Sequence, residues 1–578
     1  MPLMGSLYIG ASGLQTGQNA LNTTAHNLTN ADTEGYVRQQ VQQSAKVYIT
    51  ISKNPASISN QVYGLGVTYS RVKQVRDRFL DQTFRRESGR SMFYEVSTET
   101  LEHVQDLLGE MNGKTFQSTM TDLWTAVQEL AKNPSSSVNQ GLLVQRAEEF
   151  IERAVNVYDD LASYQDNLNN QVKQQVKKIN EYGRQILELN DRIRAIEAGG
   201  VEQANDLKDT RNRIMDELSK LAKCTFTESA FGDVYVQIEG EDFVKGASCY
   251  EIALYTDPNT GFHTPFWPQN ATYTVLENGD KQYNIKGAEV FDLTRTISSD
   301  YNTDIGGLKA MLLARGDHRA DYTDIENNYD DISQSILMNM QAEFDQMVHS
   351  IATKMNEILA NAAGVQTGNL DILDSNGNTV TLENVRFCES DSNGYMRKED
   401  GSPIQLFDKV TGYGYEKVTG ADGKEYWVYQ EEDPSYQDTL YTLKNLQVDQ
   451  DLKKSPSLMG FLKDDEEVDQ ATADALKEAF TEESYKLNPN VNNSTTFLDY
   501  YGDMVAQVAN SGMVYRNIYE DQLNEVEATE NAREQIMGVS SDEELSNMIK
   551  YQNAFNAASR YVNVVSEMLA HIINTLGV

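Results

Sequence analysis

The two ends of this 578-residue chain carry apolar stripes with the seven-residue spacing of a coiled coil. Near the start, leucine recurs at every seventh position (Leu7, Leu14, Leu21 and Leu28), and the alternate positions hold Ala11, Gln18 and Ala25. Near the end, the same four-then-three spacing runs through Leu545, Met548, Gln552, Phe555, Ser559, Val562, Ser566, Leu569, Ile573 and Leu576. Such a repeat predicts a helix that lies along another helix. We therefore expect the two ends of the chain to pair.

Each end is also too small to be stable alone. Four leucines bury too little apolar surface to offset the ordering of about thirty backbone residues, and short isolated helices are marginal in water. We therefore expect both ends to be largely disordered in a free monomer, and to fold when neighbouring copies bury the stripes.

A distinctive string follows the first stripe. Residues 25–39 read AHNLTNADTEGYVRQ. Asn27 and Asn30 can bond to nearby backbone and end a helix, and Gly35 tolerates a positive φ in the turn that follows. For one Asn-Gly cluster, an ordinary helix stop is the simpler interpretation. The whole string resembles the N-terminal signature of bacterial flagellar axial proteins, and its ending (Gly35, Tyr36, Arg38) is most similar to the hook-associated protein family, FlgK.

Charge and composition exclude several classes of partner and fold. The chain has 49 Lys plus Arg against 87 Asp plus Glu, a formal charge of −38, which disfavours binding to nucleic acid or anionic membranes. The formal charges of residues 1–50 and of 551–578 each sum to zero, which suits ends that pack between copies. No apolar run approaches the roughly 18 residues of a membrane span, and the start lacks the features of a cleaved signal peptide.

Composition alone indicates a cytosolic protein, whereas the family resemblance implies secretion to the hook–filament junction of the flagellum. Export would use the flagellar type III channel, without a cleaved signal peptide. The three scattered cysteines (Cys224, Cys249 and Cys388) provide neither a disulfide framework nor a zinc site.

Periodicity along the chain predicts a mainly α fold with inserted β domains. Residues 138–197 contain no proline and keep a four–three apolar spacing, which predicts a helix about 90 Å long. We expect an elongated, multidomain molecule in which the terminal helices form a coiled coil, the long helices form a bundle, and β-rich domains lie outside. The predicted units are an N-terminal coiled-coil helix and connector (1–72), a long helical bundle (73–223), a small β domain (224–300), a helical return (301–365), an acidic β-rich insertion (366–494), the C-terminal part of the bundle (495–540) and a C-terminal coiled-coil helix (541–578).

Shorter signals place individual elements. We expect helices over 114–132, 201–222 and 305–363, a strand over 234–238, and turns at 257–261, 277–280, 374–378 and 421–424. Ser541, followed by Glu544 three residues later, predicts a capping box at the start of the last helix. The acidic stretch 366–490 holds 26 Asp plus Glu against 12 Lys plus Arg. Residues 205–211 (NDLKDTR), 305–312 and 545–562 extend the FlgK resemblance, and we give them structural roles.

No motif indicates catalysis, a cofactor or a metal. The six histidines are scattered, and the strings typical of zinc proteases, phosphate loops and serine hydrolases are absent from the sequence. A calcium loop starting at Asp374 fails because Gly377 and Val385 occupy the wrong positions. A carboxylate pair of the glycosidase type stays open, since acids are abundant and their spatial separation is not given by sequence. We therefore predict a protein that is not an enzyme.

The resemblance implies a structural subunit that links the flagellar hook to the filament in a ring or short helical zone. Implied partners are further copies of the chain, the hook protein, the second hook–filament junction protein, and an export chaperone at the C-terminal helix. A hook or rod subunit is the close alternative, and a surface adhesin or carbohydrate-active protein built on the β insertions is the distant one. The predicted assembly interface comprises Leu7, Leu14, Leu21, Leu28, Asn27, Asn30, Gly35, Tyr36, Arg38, Leu545, Gln552, Phe555, Val562, Leu569, Ile573 and Leu576.

Overall fold

A computed structural model describes most of the chain. The described residues are 3–46, 48–53, 60–109, 115–200, 202–229, 231–276, 281–373, 378–391, 394–463 and 467–576. The turns predicted at 277–280 and 374–377, and the helix starts predicted at 114 and 201, lie outside these ranges.

Long helices dominate the described part. In chain order they are α1 (Leu3–Thr29), α2 (Arg78–Gly109), α3 (Phe116–Lys132), α4 (Ser137–Glu197), α5 (Asn205–Leu221), α6 (Gly307–Arg315), α7 (Tyr322–Asn327), α8 (Tyr329–Ile332), α9 (Ile336–Ala362), α10 (Gln450–Lys454), α11 (Gln470–Ala479), α12 (Phe497–Met537) and α13 (Ser541–Leu576).

The strands form small antiparallel sheets between these helices. They are β1 (Gln39–Ala45), β2 (Ile49–Lys53), β3 (Asn60–Tyr63), β4 (Val67–Gln74), β5 (Cys224–Glu228), β6 (Val234–Ile238), β7 (Glu241–Lys245), β8 (Ser248–Cys249), β9 (Ala253–Thr256), β10 (His263–Phe266), β11 (Thr272–Val275), β12 (Lys281–Asn284), β13 (Gln366–Leu373), β14 (Thr379–Glu389), β15 (Phe407–Lys409), β16 (Tyr415–Thr419), β17 (Glu425–Tyr429) and β18 (Leu446–Val448). The larger sheets have the orders β5-β6-β7-β8 and β13-β14-β17-β16. The fold is mainly α with inserted β structure, as predicted.

The 61-residue helix α4 is the spine of the molecule. It begins after Ser136, whose hydroxyl accepts a hydrogen bond from the Asn139 N–H at 3.4 Å. Helix α3 ends just before Asn133-Pro134, as predicted. Beside this spine, α2 and α12 run antiparallel. The Tyr501 hydroxyl near the start of α12 donates to the Leu108 carbonyl at the end of α2 (2.6 Å).

Three asparagines on one face of α4 hold the small β domain. The Asn190 side chain accepts from the Val234 N–H at 3.1 Å and donates to the Val234 carbonyl at 2.9 Å. Asn180 makes the same two bonds with Ile252, at 2.9 and 2.8 Å. Asn169 accepts from the His263 N–H at 2.8 Å. These amides bond to the backbone of β6, of β10 and of the residue before β9, and they satisfy backbone groups that lack a strand partner at the helix–sheet contact.

The prediction of one continuous helix from 305 to 363 is wrong. The chain leaves α6 at Gly316, whose φ is +76°. Asp321 then starts α7 with a capping box, and Ser335 caps α9 by accepting from the Met338 N–H. The side-chain caps of α7 and α9 mark new helix starts, so the chain forms several shorter helices instead of one rod.

The acidic stretch after α9 has two parts. The sheet of β13, β14, β16 and β17 carries a small core of Leu370, Phe387 and Val428. The remainder packs into the main helical core, and Asn356 of α9 anchors it by accepting from the N–H groups of Leu406 and Phe407 at 2.9 and 3.0 Å. Although this stretch is acidic, its apolar side chains form part of the core of the helical bundle.

Two buried carboxyl groups on α9 make the stability of this core depend on pH. Burial raises the pKa of Glu343 and of Asp345 to about 7 in each case, although both accept hydrogen bonds, for example from Asn488 (2.6 Å) and the Leu443 N–H (2.7 Å). Their folded pKa values lie above their unfolded values near 4, so the folded state holds more protons between about pH 4 and 7. The contribution of these groups to stability therefore falls as pH rises through that window.

We expect the melting temperature of the body to be higher at about pH 5.5 than at about pH 8, because each buried carboxyl contributes about 2 kcal/mol less to stability at the higher pH. His318 acts in the same direction above its unfolded pKa, because its hydrogen bonds to Asp317 and Asp324 raise its pKa to about 10. Glu343→Gln should flatten the profile, whereas Glu357→Gln, at an exposed site on the same helix, should leave it unchanged. Thermal unfolding at both pH values tests this, and a melting temperature that rises from the lower to the higher pH contradicts it.

Candidate assembly interface

Helices α1 and α13 lie against each other in opposite directions. The neighbours of three glycines show the register. A Cβ at Gly10 would lie 2.5 Å from Val562 Cγ2, one at Gly13 would lie 3.4 Å from Ala558 Cβ, and one at Gly17 would lie 3.4 Å from Phe555 Cα. The two ends of the chain are therefore paired, as predicted.

The contact face of α1 is a heptad of small and polar residues. Gly10, Gly13 and Gly17 touch α13 directly. The same face continues through Ser6, Ala20, Thr24 and Asn27, which are all buried. Glycine lets the two backbones approach closely, and a larger side chain at these positions would separate them. The matching face of α13 comprises Glu544, Met548, Tyr551, Phe555, Ala558, Val562, Val565 and Leu569.

The predicted leucine stripe lies beside this contact face rather than on it. Leu7, Leu14, Leu21 and Leu28 are only half-buried, and Ala11, Gln18 and Ala25 are exposed. The seven-residue period of α1 was predicted correctly, but the stripe that contacts α13 is the adjacent one. Its glycines allow the backbones of the two helices to come closer together.

On α13, Phe555, Val562 and Leu569 lie half-buried on the contact face. Leu545, Gln552 and Ile573 are exposed, with Ile573 at 67 %. The Leu576 side chain lies outside the described part.

The paired helices expose many large apolar side chains. On α13, Tyr561, Val564, Met568 and Ile572 form a stripe at helical spacing, and all four are exposed. Ile549 is 61 % exposed and Tyr8 of α1 is 65 % exposed. Contiguous apolar surface of this kind marks an interaction site.

The exit from α1 is fixed by a cluster of polar side chains that we call the polar hub: Asn27, Tyr36, Arg38, Gln39, Gln74, Asn205, Asp206, Asp209 and Glu544. Asn27, which is 1 % exposed, is its centre. Its carbonyl oxygen accepts from the Tyr36 hydroxyl (2.8 Å) and the Gln39 N–H (3.0 Å). Its amide donates to the Gln39 carbonyl (2.8 Å) and to Glu544 Oε2 (3.2 Å). All of its bonding capacity is used, which only asparagine can provide in this geometry.

Arg38 joins the start of the chain to α13. Its guanidinium is 2.9 Å from both Glu544 Oε1 and Glu543 Oε2, and its backbone N–H donates to the Met537 carbonyl at 2.8 Å. The capping box predicted from Ser541 to Glu544 is wrong, because Ser540 caps the helix by accepting from the Glu543 N–H. The Glu544 carboxylate is thus free to bind Arg38 and Asn27.

The start of α5 completes the polar hub. Asn205 donates to Gln39 Oε1 at 3.1 Å, and Gln39 donates to Asp206 Oδ1 at 3.2 Å. Asp209 accepts from the Val37 N–H at 3.3 Å and from Gln74 Nε2 at 2.7 Å. Burial raises the pKa of Asp209 to about 7. Two strings that the sequence analysis treated separately, 25–39 and 205–211, therefore meet in space.

Other predicted site residues have local roles, and several hub residues were missed. The Asn30 amide donates to the His26 carbonyl at 2.9 Å and closes α1, and Gly35 has a φ of +76°. Sequence reasoning did not select Gln39, Asp209 or Glu544, whose partners are distant in the chain. The available signal was that all three lie within or beside strings that resemble one family.

In the described ranges, no group of three or more His, Cys, Asp or Glu could hold a metal ion. Helices of the described chain are also too short or too polar to cross a membrane.

Comparison with known proteins finds flagellar relatives. The model of the FlgK helical domain matches residues 101–372, that of the flagella basal body rod protein matches 7–36, and that of the FlgEFG C-terminal region matches 535–575. Flagellar hook-associated protein 1 of Bacillus subtilis is 26 % identical over 573 residues, covering 98 % of this chain and 97 % of the relative. The chain is similar to the FlgK family of flagellar hook-associated proteins.

Two further relatives match nearly the whole chain. Flagellar hook-associated protein 1 of Salmonella typhimurium is 22 % identical, covering 97 % of this chain and 98 % of the relative. The Escherichia coli protein of the same name is 22 % identical, with the same two coverages. A solved FlgK structure from Burkholderia pseudomallei aligns with 79 % of this chain and 100 % of its own, at a TM-score of 0.48 and 13 % identity.

The polar hub joins the three segments that the family models match separately. Asn27 and Tyr36 lie in the segment 7–36, Asn205 and Asp209 in 101–372, and Glu544 in 535–575. The hub therefore fixes the terminal pair onto the helical body.

Proposed function

We propose that this chain is a structural subunit of the bacterial flagellum that links hook to filament by polymerising through its terminal helices. The observation that carries the proposal is the apolar surface left uncovered on the paired helices α1 and α13. The proteins it resembles are named flagellar hook-associated protein 1. Its role is structural rather than enzymatic.

The energetics of the terminal pair support polymerisation. The α1 side of its contact face consists largely of glycine, alanine and small polar residues, and several large apolar side chains of the α13 side, such as Phe555 and Val562, are only half-buried there. Each large apolar side chain contributes about 1.5–3 kcal/mol when it is fully buried. Met568, Ile572 and their neighbours supply that energy only when another copy covers them. The neutral termini avoid charge repulsion at this contact, while the acidic body stays in solvent.

The partners follow from the same surfaces. Further copies of the chain and components of the hook cover the terminal pair. We assign the stripe of Tyr561, Val564, Met568 and Ile572 to an export chaperone before assembly, since a chaperone that covers it prevents premature association. The second junction protein binds the distal side of the assembly. The subunit reaches the flagellum by type III export without a cleaved signal peptide.

The test replaces apolar residues that are exposed in the single chain. Ile549→Asp with Met568→Asp should leave folding unchanged, because both side chains already contact solvent, but should abolish incorporation into flagella in cells that lack their own copy. A matched control, Phe231→Asp with Val410→Asp, changes equally exposed side chains away from the termini and should incorporate normally. Secretion of each variant is measured in parallel, which separates export from assembly. Normal incorporation of the first variant would refute the proposal.

A hook or rod subunit is the second candidate, because models of rod proteins match 7–36 and 535–575. The two candidates differ in position along the flagellum. An antibody against residues 366–490 should label one narrow band where hook meets filament. Label along the hook, or within the rod, would favour the second candidate.

A further inference from the structure

A positively charged cleft lies between β4, the start of α2, and α5. It encloses about 760 Å³ and is lined by seven Lys or Arg side chains but only two carboxylates. A second cavity of about 350 Å³ shares Gln82, Arg85 and Phe226 with it and adds Arg86 and Lys223. This basic cleft stands out in a chain whose formal charge is −38.

The deeper cations of the basic cleft are neutralised within the chain. Arg76 binds Asp81 at 2.7 Å, and Arg85 binds Asp216 at 2.6 Å. Lys208 binds Glu197 at 2.7 Å. The Arg85–Asp216 pair joins α2 to α5, and the Lys208–Glu197 pair joins α5 to α4. Cations that are paired in this way have little attraction left for a partner.

The rim of the basic cleft differs from its floor. Arg71 and Lys73 are exposed on β4, and within the described ranges no carboxylate lies within 4.0 Å of either. Arg71 donates only to the neutral Gln42 side chain, at 3.2 Å. The rim therefore presents uncompensated positive charge toward solvent, where it attracts an acidic surface.

An acidic surface of suitable length exists on α12. Between Arg516 and Arg533 the helix carries five acids and no Lys or Arg. Glu520, Asp521, Glu525 and Glu527 are exposed. Across the described residues, none of these four carboxylates has a cation within 4.0 Å. We call these four residues the acidic face.

The acidic face is offset from the basic cleft along the molecule. Arg533 Nε is 3.2 Å from Asp81 Oδ1, and Asp81 lines the cleft. The acidic face begins six residues before Arg533 and ends thirteen residues before it, which places it about 9–20 Å from that point along α12. In a helical assembly whose neighbouring copies are displaced by a comparable distance along the axis, a head-to-tail contact between the two surfaces can repeat.

We propose that the basic cleft of one copy, through Arg71 and Lys73, binds the acidic face of α12 in a second copy of this chain. The proposal rests on the proposed function, since it requires copies to be side by side. The terminal helices supply the apolar contact, and this charge pairing sets the register between neighbouring bodies.

The test uses charge reversal in the full-length protein. Arg71→Glu with Lys73→Glu should weaken self-association by about tenfold at low salt, and Glu520→Lys with Glu525→Lys should do the same. Combining the four changes should restore association. Lys245→Glu with Lys424→Glu, at exposed sites on the β structure, is the matched control and should have no effect. Association is measured by sedimentation, and circular dichroism confirms that each variant folds.

Zero-length carbodiimide cross-linking gives an independent readout. In a mixture of ¹⁴N- and ¹⁵N-labelled protein, Lys73 should cross-link to acidic-face carboxylates of the other isotope. Association through the terminal helices without these cross-links, or without rescue in the four-residue variant, overturns this inference and leaves the proposed function intact. Absence of all association by the unmodified chain overturns both.

Discussion

A chain with Gly17→Leu is expected to fold its central body normally and to fail to pair its terminal helices. The nearest atoms to a Cβ at Gly17 are Phe555 Cα and Cβ, both at 3.4 Å. A leucine adds three further carbons that have no space between the two backbones. Overpacking of a tight contact costs about 1–3 kcal/mol, which is large for a pair whose apolar side chains are mostly only half-buried. Incorporation into flagella should be lost.

The control for this prediction is the same substitution where space is open. A Cβ at Gly141 of α4 meets nothing within 4 Å, so Gly141→Leu should incorporate normally. Hydrogen exchange of residues 3–29 and 541–576 in assembled material distinguishes the two variants. If Gly17→Leu assembles with protected termini, the close approach of α1 and α13 is wrong.

Removing Glu544 should release α13 from the polar hub, whereas removing its neighbour Glu543 should not. Glu544 is 2 % exposed and binds both Arg38 and Asn27, so Glu544→Ala removes one buried partner from each of them. Loss of one member of a buried charge pair costs about 3–5 kcal/mol, and we expect the lower end because Arg38 keeps Glu543. The Glu543 side chain is 62 % exposed, and its removal should cost less than about 1 kcal/mol.

Native-state hydrogen exchange measures this difference directly. Amides in the first turns of α13 should exchange faster in Glu544→Ala, with little change in the core of α4. Equal effects of the two substitutions would show that the hub does not hold the terminal pair.

Sequence periodicity predicted the pairing of the chain ends but not its register. The heptad count finds a stripe that recurs every seven residues, and two adjacent stripes on α1 share that period. Leucine marked one of them, while Gly10, Gly13 and Gly17 marked the stripe in contact. The stripe in contact is the one that lets the two helix backbones come closest. The spacing of the three glycines was the sequence signal for that stripe.

The polar hub was less accessible to sequence reasoning. Asn27 was interpreted as a helix stop, yet it bonds to Glu544, which is 517 residues away. A local sequence pattern indicates which neighbouring groups a side chain can bond. Its partners from distant parts of the chain depend on the tertiary fold. For the same reason, the sequence did not reveal the role of three asparagines of α4, Asn169, Asn180 and Asn190. Their side chains bond to the backbone of the small β domain.

The most direct test of the account is a disulfide between the two ends of the chain. Gly13→Cys and Ala558→Cys would place Cβ atoms about 3.4 Å apart, close to the separation that a disulfide requires. In a background with Cys224, Cys249 and Cys388 replaced by alanine, this pair should oxidise within one chain in assembled flagella, while Gly13→Cys with Ala570→Cys should not. Efficient bonding of the second pair, or none of the first, would contradict the antiparallel terminal pair from which assembly is derived.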